Sequence, residues 1–566
     1  MKSPYEEVKS MKITINESID SFRMLRESGA YYVDKTLLLK EYLADRFKSC
    51  VLFARPRRFG KTMAMTMFRD FLDIHRDSKA IFEGLKIMEY PEVVDKFHNQ
   101  YPVVFLSLKE VFGKSFDSVF DNLQVVVSTL CSENAYLLES PTVGDADKEF
   151  LNELCFRRGK QSYYLESLSL LARMLHAHYG KPAFVIVDEY DVPMAKALGT
   201  PFYDQVRDMV EHMLSYVCKT NAHVKAVLLS GCLYTVKNST YTGVNNIVPY
   251  TILSPAFASG IGFTDEDIRK LLSDAGLSDR YEDVETWYDG YIFGRERMYC
   301  PWDVMRYVAS ILEGTYSEAM GPESYWLNTS ETSQNLIHGF LGKTNAANES
   351  FEQLLAGKCI ECRVNEQVPY HQIYENGDNL WTALLETGYL SKAVTEKGVI
   401  LPLRLPNRSV EAAFIQEVWE YFKDKVDNAF VKDFVSALWA GETSRAEAAI
   451  CQILEATLSF YHEYREYSYH LILDGFFTGQ GCTVLSEPES GYGRSDLIIL
   501  DLGRKRCLIL ELKHVKDEKD LEAALQEGAS QLICQKYEST PRYLGFSPRL
   551  KYAMAFSGKT GRIKML

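Results

Sequence analysis

Ala54-Arg55-Pro56-Arg57-Arg58-Phe59-Gly60-Lys61-Thr62 decides the reading of this chain. A short apolar run, Cys50-Val51-Leu52-Phe53, precedes it, and Met63-Ala64-Met65-Thr66-Met67-Phe68 follows with helical character. Strand, loop, Gly-Lys-Thr and helix are together the context of a phosphate-binding loop. Backbone N–H groups and the helix N-terminus of such a loop face a β-phosphate. Arg57, Arg58, Gly60, Lys61 and Thr62 are therefore the candidate nucleotide-binding residues. Lys61 is placed to reach the β- and γ-phosphates of ATP, and Thr62 to hold Mg2+. The pattern also asks for a Gly five residues before Gly60, where this chain has Arg55. Alone it is a weak match, and a basic turn before a core helix is the competing reading.

Working outward strengthens it. Tyr101-Pro102-Val103-Val104-Phe105-Leu106-Ser107-Leu108 has the length and apolar character of a buried parallel strand. Leu-rich helical sequence follows to about Tyr179, and then Ala183-Phe184-Val185-Ile186-Val187 runs into Asp188-Glu189. Asp188 at that strand end would sit beside Mg2+, and Glu189 would polarise an attacking water. A third run, Val224 to Gly231, ends in the hydroxyl of Ser230, which fits the polar residue that ATPases of this class place between the γ-phosphate and the acidic strand, with a Ser capping the strand end the competing reading. Strands alternating with helices predict a doubly wound parallel α/β sheet with ligand at the strand C-termini. Upstream, Tyr31-Tyr32-Val33-Asp34-Lys35-Thr36 reads as a short strand and cap, with Leu37 to Leu43 a helix over the sheet edge.

At 566 residues the chain exceeds one core, and three or four domains is the expectation. Hydrophobic residues make up 46% and charged residues 25% of it, the balance of a globular protein. The first twenty residues lack the apolar core of a signal peptide, and no run of 18 apolar residues spans a membrane. The net charge of −14 argues against a chain coated with nucleic acid while leaving room for a local basic groove. Twelve scattered cysteines, among them Cys50, Cys218, Cys482 and Cys507 in apolar runs, fit a reducing cytoplasm. Cys359 and Cys362 have metal-like spacing but no second pair.

Several motifs together resemble a family of bacterial AAA-ATPase-like proteins. They are Tyr32-Val33-Asp34-Lys35-Thr36, the loop Arg55 to Thr62, and Val187-Asp188-Glu189-Tyr190-Asp191-Val192-Pro193. Tyr241-Thr242-Gly243-Val244-Asn245-Asn246, Gly262-Phe263-Thr264 and Trp287-Tyr288-Asp289-Gly290-Tyr291 extend the likeness over nearly the whole chain. In that family Arg is the usual residue at position 55. The resemblance implies an Arg shortly after the polar strand end, where this chain has Tyr234; Lys237 is retained nearby and is the alternative γ-phosphate cation. It also implies an acid where Ser409 stands after Pro406-Asn407. Sites of this type are often completed between subunits, so a homo-oligomer is compatible with it.

The C-terminal residues hold a second constellation. Gly491-Tyr492-Gly493-Arg494-Ser495-Asp496 leads into Leu497-Ile498-Ile499-Leu500, and a turn later comes Cys507-Leu508-Ile509-Leu510-Glu511-Leu512-Lys513. Strand alternation puts Glu511 and Lys513 on one side. Asp496 and Glu511 on neighbouring strands could chelate Mg2+, and Lys513 could orient or deprotonate a water. This is the PD-(D/E)xK nuclease pattern, supported by Gln531 and Tyr537 on and after the next helix. It resembles the nuclease-like domain fused to the same ATPase family, which also implies an acid in the preceding helix, here Glu466, and another at Glu487. From Lys536 to Leu566 seven Lys or Arg stand against Glu538 alone, with Tyr537, Tyr543, Phe546, Tyr552 and Phe556 interleaved. That composition suits a surface tracking phosphates, with a basic edge strand the competing reading.

The expected architecture is therefore an α/β P-loop NTPase domain over 1–260, a helical lid over 261–345 opening on an N-cap at Thr264, and a helical or winged-helix-like connector over 346–455. A restriction-endonuclease-like α/β domain over 456–566 completes it. The expected activity is ATP hydrolysis coupled to Mg2+-dependent cleavage of nucleic acid, DNA first and RNA second, with no membrane partner. The alternative is an ATP-driven switch whose nuclease-like domain binds without cutting.

Overall fold

Strand β1 (Cys50–Ala54), buried at all five residues, feeds the loop and then the helix Lys61–Leu72. Gly60 opens that helix in a left-handed conformation (φ 89°), which glycine adopts without strain. The helix buries Ala64, Met65, Met67, Phe68, Phe71 and Leu72. The computed structural model describes residues 13–566 apart from 235–243, 318–320, 326–336, 338–349, 352, 355–356, 367, 396–397, 424–427, 458–465, 487–488, 491–492, 495, 535–536, 538–540, 542–544 and 548. Two units make up the chain: Met1–Thr315 with Glu361–Arg408, and Tyr316–Ile360 with Ser409–Leu566. The stretch 346–455, read as a connector, divides between them.

In the first unit β1 joins β2 (Val103–Ser107), β3 (Ala183–Asp188), β4 (Val224–Gly231) and β5 (Val248–Tyr250) in a parallel sheet of order β2-β3-β4-β1-β5. Strand β3 is buried throughout, as expected of a parallel strand covered on both faces. Strand β4 lies between the loop-bearing β1 and the acidic β3. Register puts Val187 opposite Leu229, so Asp188 and Ser230 end side by side.

The expected strand at Tyr31–Thr36 does not form. Asp34 accepts from the backbone N–H of Thr36 (2.9 Å) and of Lys86 (2.8 Å), and such side-chain bonds compete with a ladder. The helix Leu37–Lys40 does follow, continued by a π-helical turn over Glu41–Asp45.

Residues 262–312 carry helices, with the expected Thr264 cap closing a reciprocal box with Asp267. They also carry a sheet that the helical reading lacks: β6 (Phe263–Thr264), β7 (Tyr291–Phe293) and β8 (Glu296–Tyr299), in the order β6-β8-β7. Phe59 of the loop packs on Tyr291 and Phe293 of β7, each with ring centroids 5.0 Å away. Gly290 (φ 100°) is a packed turn, since a Cβ there would fall 1.9 Å from the Pro406 carbonyl oxygen. Asn407 donates to the Asp289 carbonyl at 2.7 Å, which joins two of the quoted motifs. In the 361–408 segment β9 (Ile360–Arg363), β10 (Ser391–Lys392) and β11 (Ile400–Arg404) form a sheet of order β10-β11-β9 beside the helix Gly377–Thr387.

The second unit is built on β12 (Thr483–Ser486), β15 (Leu497–Asp501), β16 (Arg506–His514), β17 (Arg549–Ser557) and β18 (Thr560–Met565), with β13 (Glu489–Ser490) and β14 (Gly493–Arg494) a separate hairpin. Alternation explains two cores. Leu497, Ile499, Leu508, Leu510 and Leu512 join helices Asn428–Ala440, Thr443–Thr457 and Glu466–Gly479 on one face. Ile498, Leu500, Cys507 and Ile509 meet the helix Leu521–Cys534 on the other. Tyr537, Phe546, Tyr552 and Phe556 are buried in these cores, so the tail's described aromatics pack inward and are not a stacking surface. Tyr543 lies outside the described residues. Ser409 is also buried, where Ser324 donates to its carbonyl at 2.6 Å.

Arg55, where a Gly was expected, is fully buried. Its guanidinium donates to the carbonyls of Ala54 (2.9 Å), Tyr250 (2.8 Å) and Phe257 (2.8 Å), and it lies 5.4 Å from the Phe293 ring. Burial pulls its pKa down to about 10. Arg55→Gly, although it restores the usual motif, is expected to cost about 2–4 kcal/mol by leaving carbonyls unpaired and a void. Urea unfolding measures this, and unchanged stability would remove Arg55 from its role as anchor.

Candidate active sites

The first site forms where β1, β3 and β4 end. Asp188 is fully buried, accepting from the Thr62 hydroxyl at Oδ2 (2.9 Å) and from Ser230 Oγ at Oδ1. Burial, then the neighbouring Glu189, raises its pKa to about 6 against the pull of Ser230, Thr62 and Lys61. Ser230 Oγ also accepts from the Glu189 N–H at 3.2 Å. Glu189 holds a left-handed backbone (φ 54°), a conformation that costs a non-glycine residue roughly 1–3 kcal/mol and clusters at functional sites.

Lys61 is nearly buried. Its Nζ donates to the Pro56 carbonyl (3.2 Å) and stands 3.7 Å from Glu189 Oε1. Burial opposes its charge, but Cys232, Glu189, Asp191 and Asp188 override this and raise its pKa. Burial pushes the Cys232 thiol up to about 11, so at neutral pH the three carboxylates carry that effect. Gly60 is exposed, with open space where a Cβ would sit, and the N-terminus of Lys61–Leu72 has no side-chain cap. Uncapped N–H groups, an open glycine and a buried lysine fit a phosphate group. The Thr62–Asp188 pair supplies the hard oxygen donors that suit Mg2+.

Arg57 and Arg58 diverge. Arg57 is half-buried among Cys232, Tyr370, Asp191 and Glu189. Arg58 stacks on Trp302, with its Cζ 4.1 Å from the ring centroid. Asp303, next in the chain to Trp302, is fully buried, with neither carboxylate oxygen hydrogen-bonded. Burial raises its pKa to about 7, with only partial relief from Cys300 and Arg58. Tyr234 is buried at the position of the expected Arg, and Lys237 lies outside the described residues.

The second site lies on β16. Glu511 is fully buried, and Lys513 donates to its Oε1 at 3.0 Å. Leu497 pairs with Leu510, so Asp496 falls opposite Glu511, and its Oδ2 accepts from the Leu512 N–H at 2.6 Å. Gln531 donates to the Tyr537 hydroxyl (3.2 Å), which lies in the field of Glu511, Asp496 and Lys513. Gly528 opens the helix surface there, since a Cβ would sit 3.5 Å from Lys513 and 3.6 Å from Glu511. Mg2+ commonly takes one or two carboxylates and keeps several waters, a demand that Asp496 and Glu511 fit. Among the described residues no group of three acidic, His or Cys side chains converges on a metal position, Cys359 and Cys362 included. Glu466 is the first residue of its helix, and Glu487 lies outside the described residues.

Sequence reasoning assigned no role to Asp191, Tyr370, Asp303 or His470. His470 stands one turn after Glu466, and its Nε2 lies 3.0 Å from the Asp496 carbonyl oxygen. The spacing of four along one helix was the available signal. Nothing in the sequence marked Tyr370.

These features define a P-loop ATPase-type unit and a restriction-endonuclease-like unit on one chain. Residues 17–241 match the family model of a predicted AAA-ATPase, and residues 464–565 match that of the PD-(D/E)XK nuclease superfamily. Over 405 residues the chain is 25% identical to an uncharacterized protein in the vnfD 5′ region of Azotobacter chroococcum mcd 1, covering 70% of this chain and 68% of that one. No helix among the described residues is long and apolar enough to cross a membrane.

Asp303 yields a stability prediction. Its folded pKa of about 7 lies above the ordinary carboxyl value of 3.8, so its contribution is fully present below pH 3.8 and is lost as pH rises toward 7. The melting temperature of Asp303→Asn is expected to gain on the native chain between about pH 4 and 7. A difference that stays flat across that window would contradict the buried carboxyl.

Proposed function

We propose that the first site binds and hydrolyses ATP and that the second hydrolyses phosphodiester bonds of nucleic acid, DNA first and RNA as the alternative. The observation that carries the proposal is one buried carboxylate, Asp188, gripped by the P-loop Thr62 and by Ser230, with Lys61 and Glu189 alongside. Lys61 orients the β- and γ-phosphates. Glu189, drawn from Lys61 once phosphate takes that cation, polarises the attacking water. Ser230 fixes both acids through its two hydrogen bonds.

At the second site Asp496 and Glu511 would hold the metal, while Lys513, bonded to Glu511, orients the water that attacks phosphorus. Mg2+ would supply charge neutralisation at the phosphate oxygens of both sites, with Thr62 and Asp188 holding it at the first. The cysteines suit a reducing cytoplasm, where such a pair of activities would meet nucleic acid. ATP turnover is proposed to control cutting.

The test uses the full chain with Mg2+ and end-labelled single- and double-stranded DNA and RNA, with and without ATP. Lys61→Ala is expected to lower ATP turnover by roughly 100-fold or more. Glu511→Ala is expected to abolish cleavage, and cutting should change with ATP in the native chain. ATP turnover with no substrate cut would replace the nuclease by an ATP-driven switch.

A further inference from the structure

Beyond Ser230 the chain turns through Cys232 and Leu233, whose N–H groups both donate to Asp191 Oδ2, at 2.8 and 3.1 Å. The same oxygen accepts a third bond, at 3.2 Å, from the hydroxyl of Tyr370. Tyr370 is 3% exposed and belongs to the 361–408 segment, which is part of the first unit although the chain on either side of it belongs to the second. Asp191 Oδ1 is buried without a hydrogen bond. Space beside it is reserved, since a Cβ on Gly231 would fall 2.7 Å from that oxygen and from the Tyr190 ring.

Asp191 is therefore a hub. It stands two residues from Glu189, holds the backbone just after Ser230 and grips the 361–408 segment. Three donors on one oxygen fix that geometry, and each bond lost in a buried site costs more than it would in water. Arg57 of the phosphate-binding loop is a half-buried cation within the electrostatic reach of Asp191 and Tyr370. A guanidinium exchanges a carboxylate for a phosphate readily, because both accept its paired donors. When it leaves, Asp191 loses that counter-charge, and the change reaches the Tyr370 hydroxyl bonded to it.

We propose that Arg57, Asp191 and Tyr370 form the terminal-phosphate sensor: Arg57 contacts the γ-phosphate, and the Asp191–Tyr370 bond carries the displacement into residues 361–408. This rests on the ATP-binding reading above. Arg57 is the contacting residue, and Asp191 and Tyr370 position and transmit.

The test compares Mg2+ complexes of a non-hydrolysable ATP analogue and of ADP on the full chain, reading affinity and hydrogen–deuterium exchange over 361–408. Arg57→Ala is expected to weaken the ATP analogue by roughly tenfold or more while ADP affinity stays within about twofold, with partial recovery in Arg57→Lys. Tyr370→Phe should keep both affinities within about threefold yet erase the difference in exchange between the two nucleotides. Equal loss of both nucleotides in Arg57→Ala, or a surviving exchange difference in Tyr370→Phe, would overturn the sensor while leaving ATP binding intact. Failure of the native chain to bind either nucleotide would instead overturn the ATP-binding reading, and the sensor with it.

Discussion

A single desolvated carboxylate, Asp188, holds the ATPase-type site together. It joins the phosphate-binding loop through Thr62 and the neighbouring strand through Ser230, and it can do so only because β4 runs between β1 and β3. Ionising it away from water is costly, and the rise of its pKa to about 6 expresses that cost. The surrounding design answers this charge: two hydroxyls donate to it and Lys61 is nearby. On β16 the buried Glu511 likewise accepts a hydrogen bond, from Lys513 on the same face.

Around that centre, the loop is shaped from outside as much as by its own residues. Arg55 ties it to the Tyr250 and Phe257 carbonyls, Phe59 is seated on β7, and Arg58 is stacked on Trp302. A glycine-poor loop gives up backbone freedom and gains side-chain anchors, so the elements after β5 help to hold the loop. This is why the 262–312 region carries a small sheet as well as helices: β7 presents the aromatic surface that the loop needs.

The parts of the fold that were legible in sequence are those with strong local signals. Fully apolar strand runs ending in Asp188, Ser230 or the Glu511–Lys513 pair state both their burial and their polar ends. Local chemistry defeated other readings. Asp34 takes the Thr36 N–H that a strand would have used, and Tyr552 and Phe556 of the basic tail pack inward because β17 is covered on both faces. Long-range partners were invisible in principle. Nothing in the residues near Tyr370 points to Asp191, nor do those near Pro406-Asn407 point to the turn at Gly290.

Burial makes Asp188 costly to the fold, its proposed role makes it necessary to the ligand, and one comparison separates those two effects. Thermal unfolding of Asp188→Asn and of the native chain would be followed at about pH 7.5, with and without Mg2+ and a non-hydrolysable ATP analogue. Ionisation of Asp188 costs the fold on the order of 2–3 kcal/mol above its raised pKa, so the variant is expected to melt higher than the native chain without ligand. It is also expected to lose the rise that nucleotide and Mg2+ give the native chain. A variant that melts lower without ligand, yet is stabilised by nucleotide as the native chain is, would contradict the central role assigned to this carboxylate.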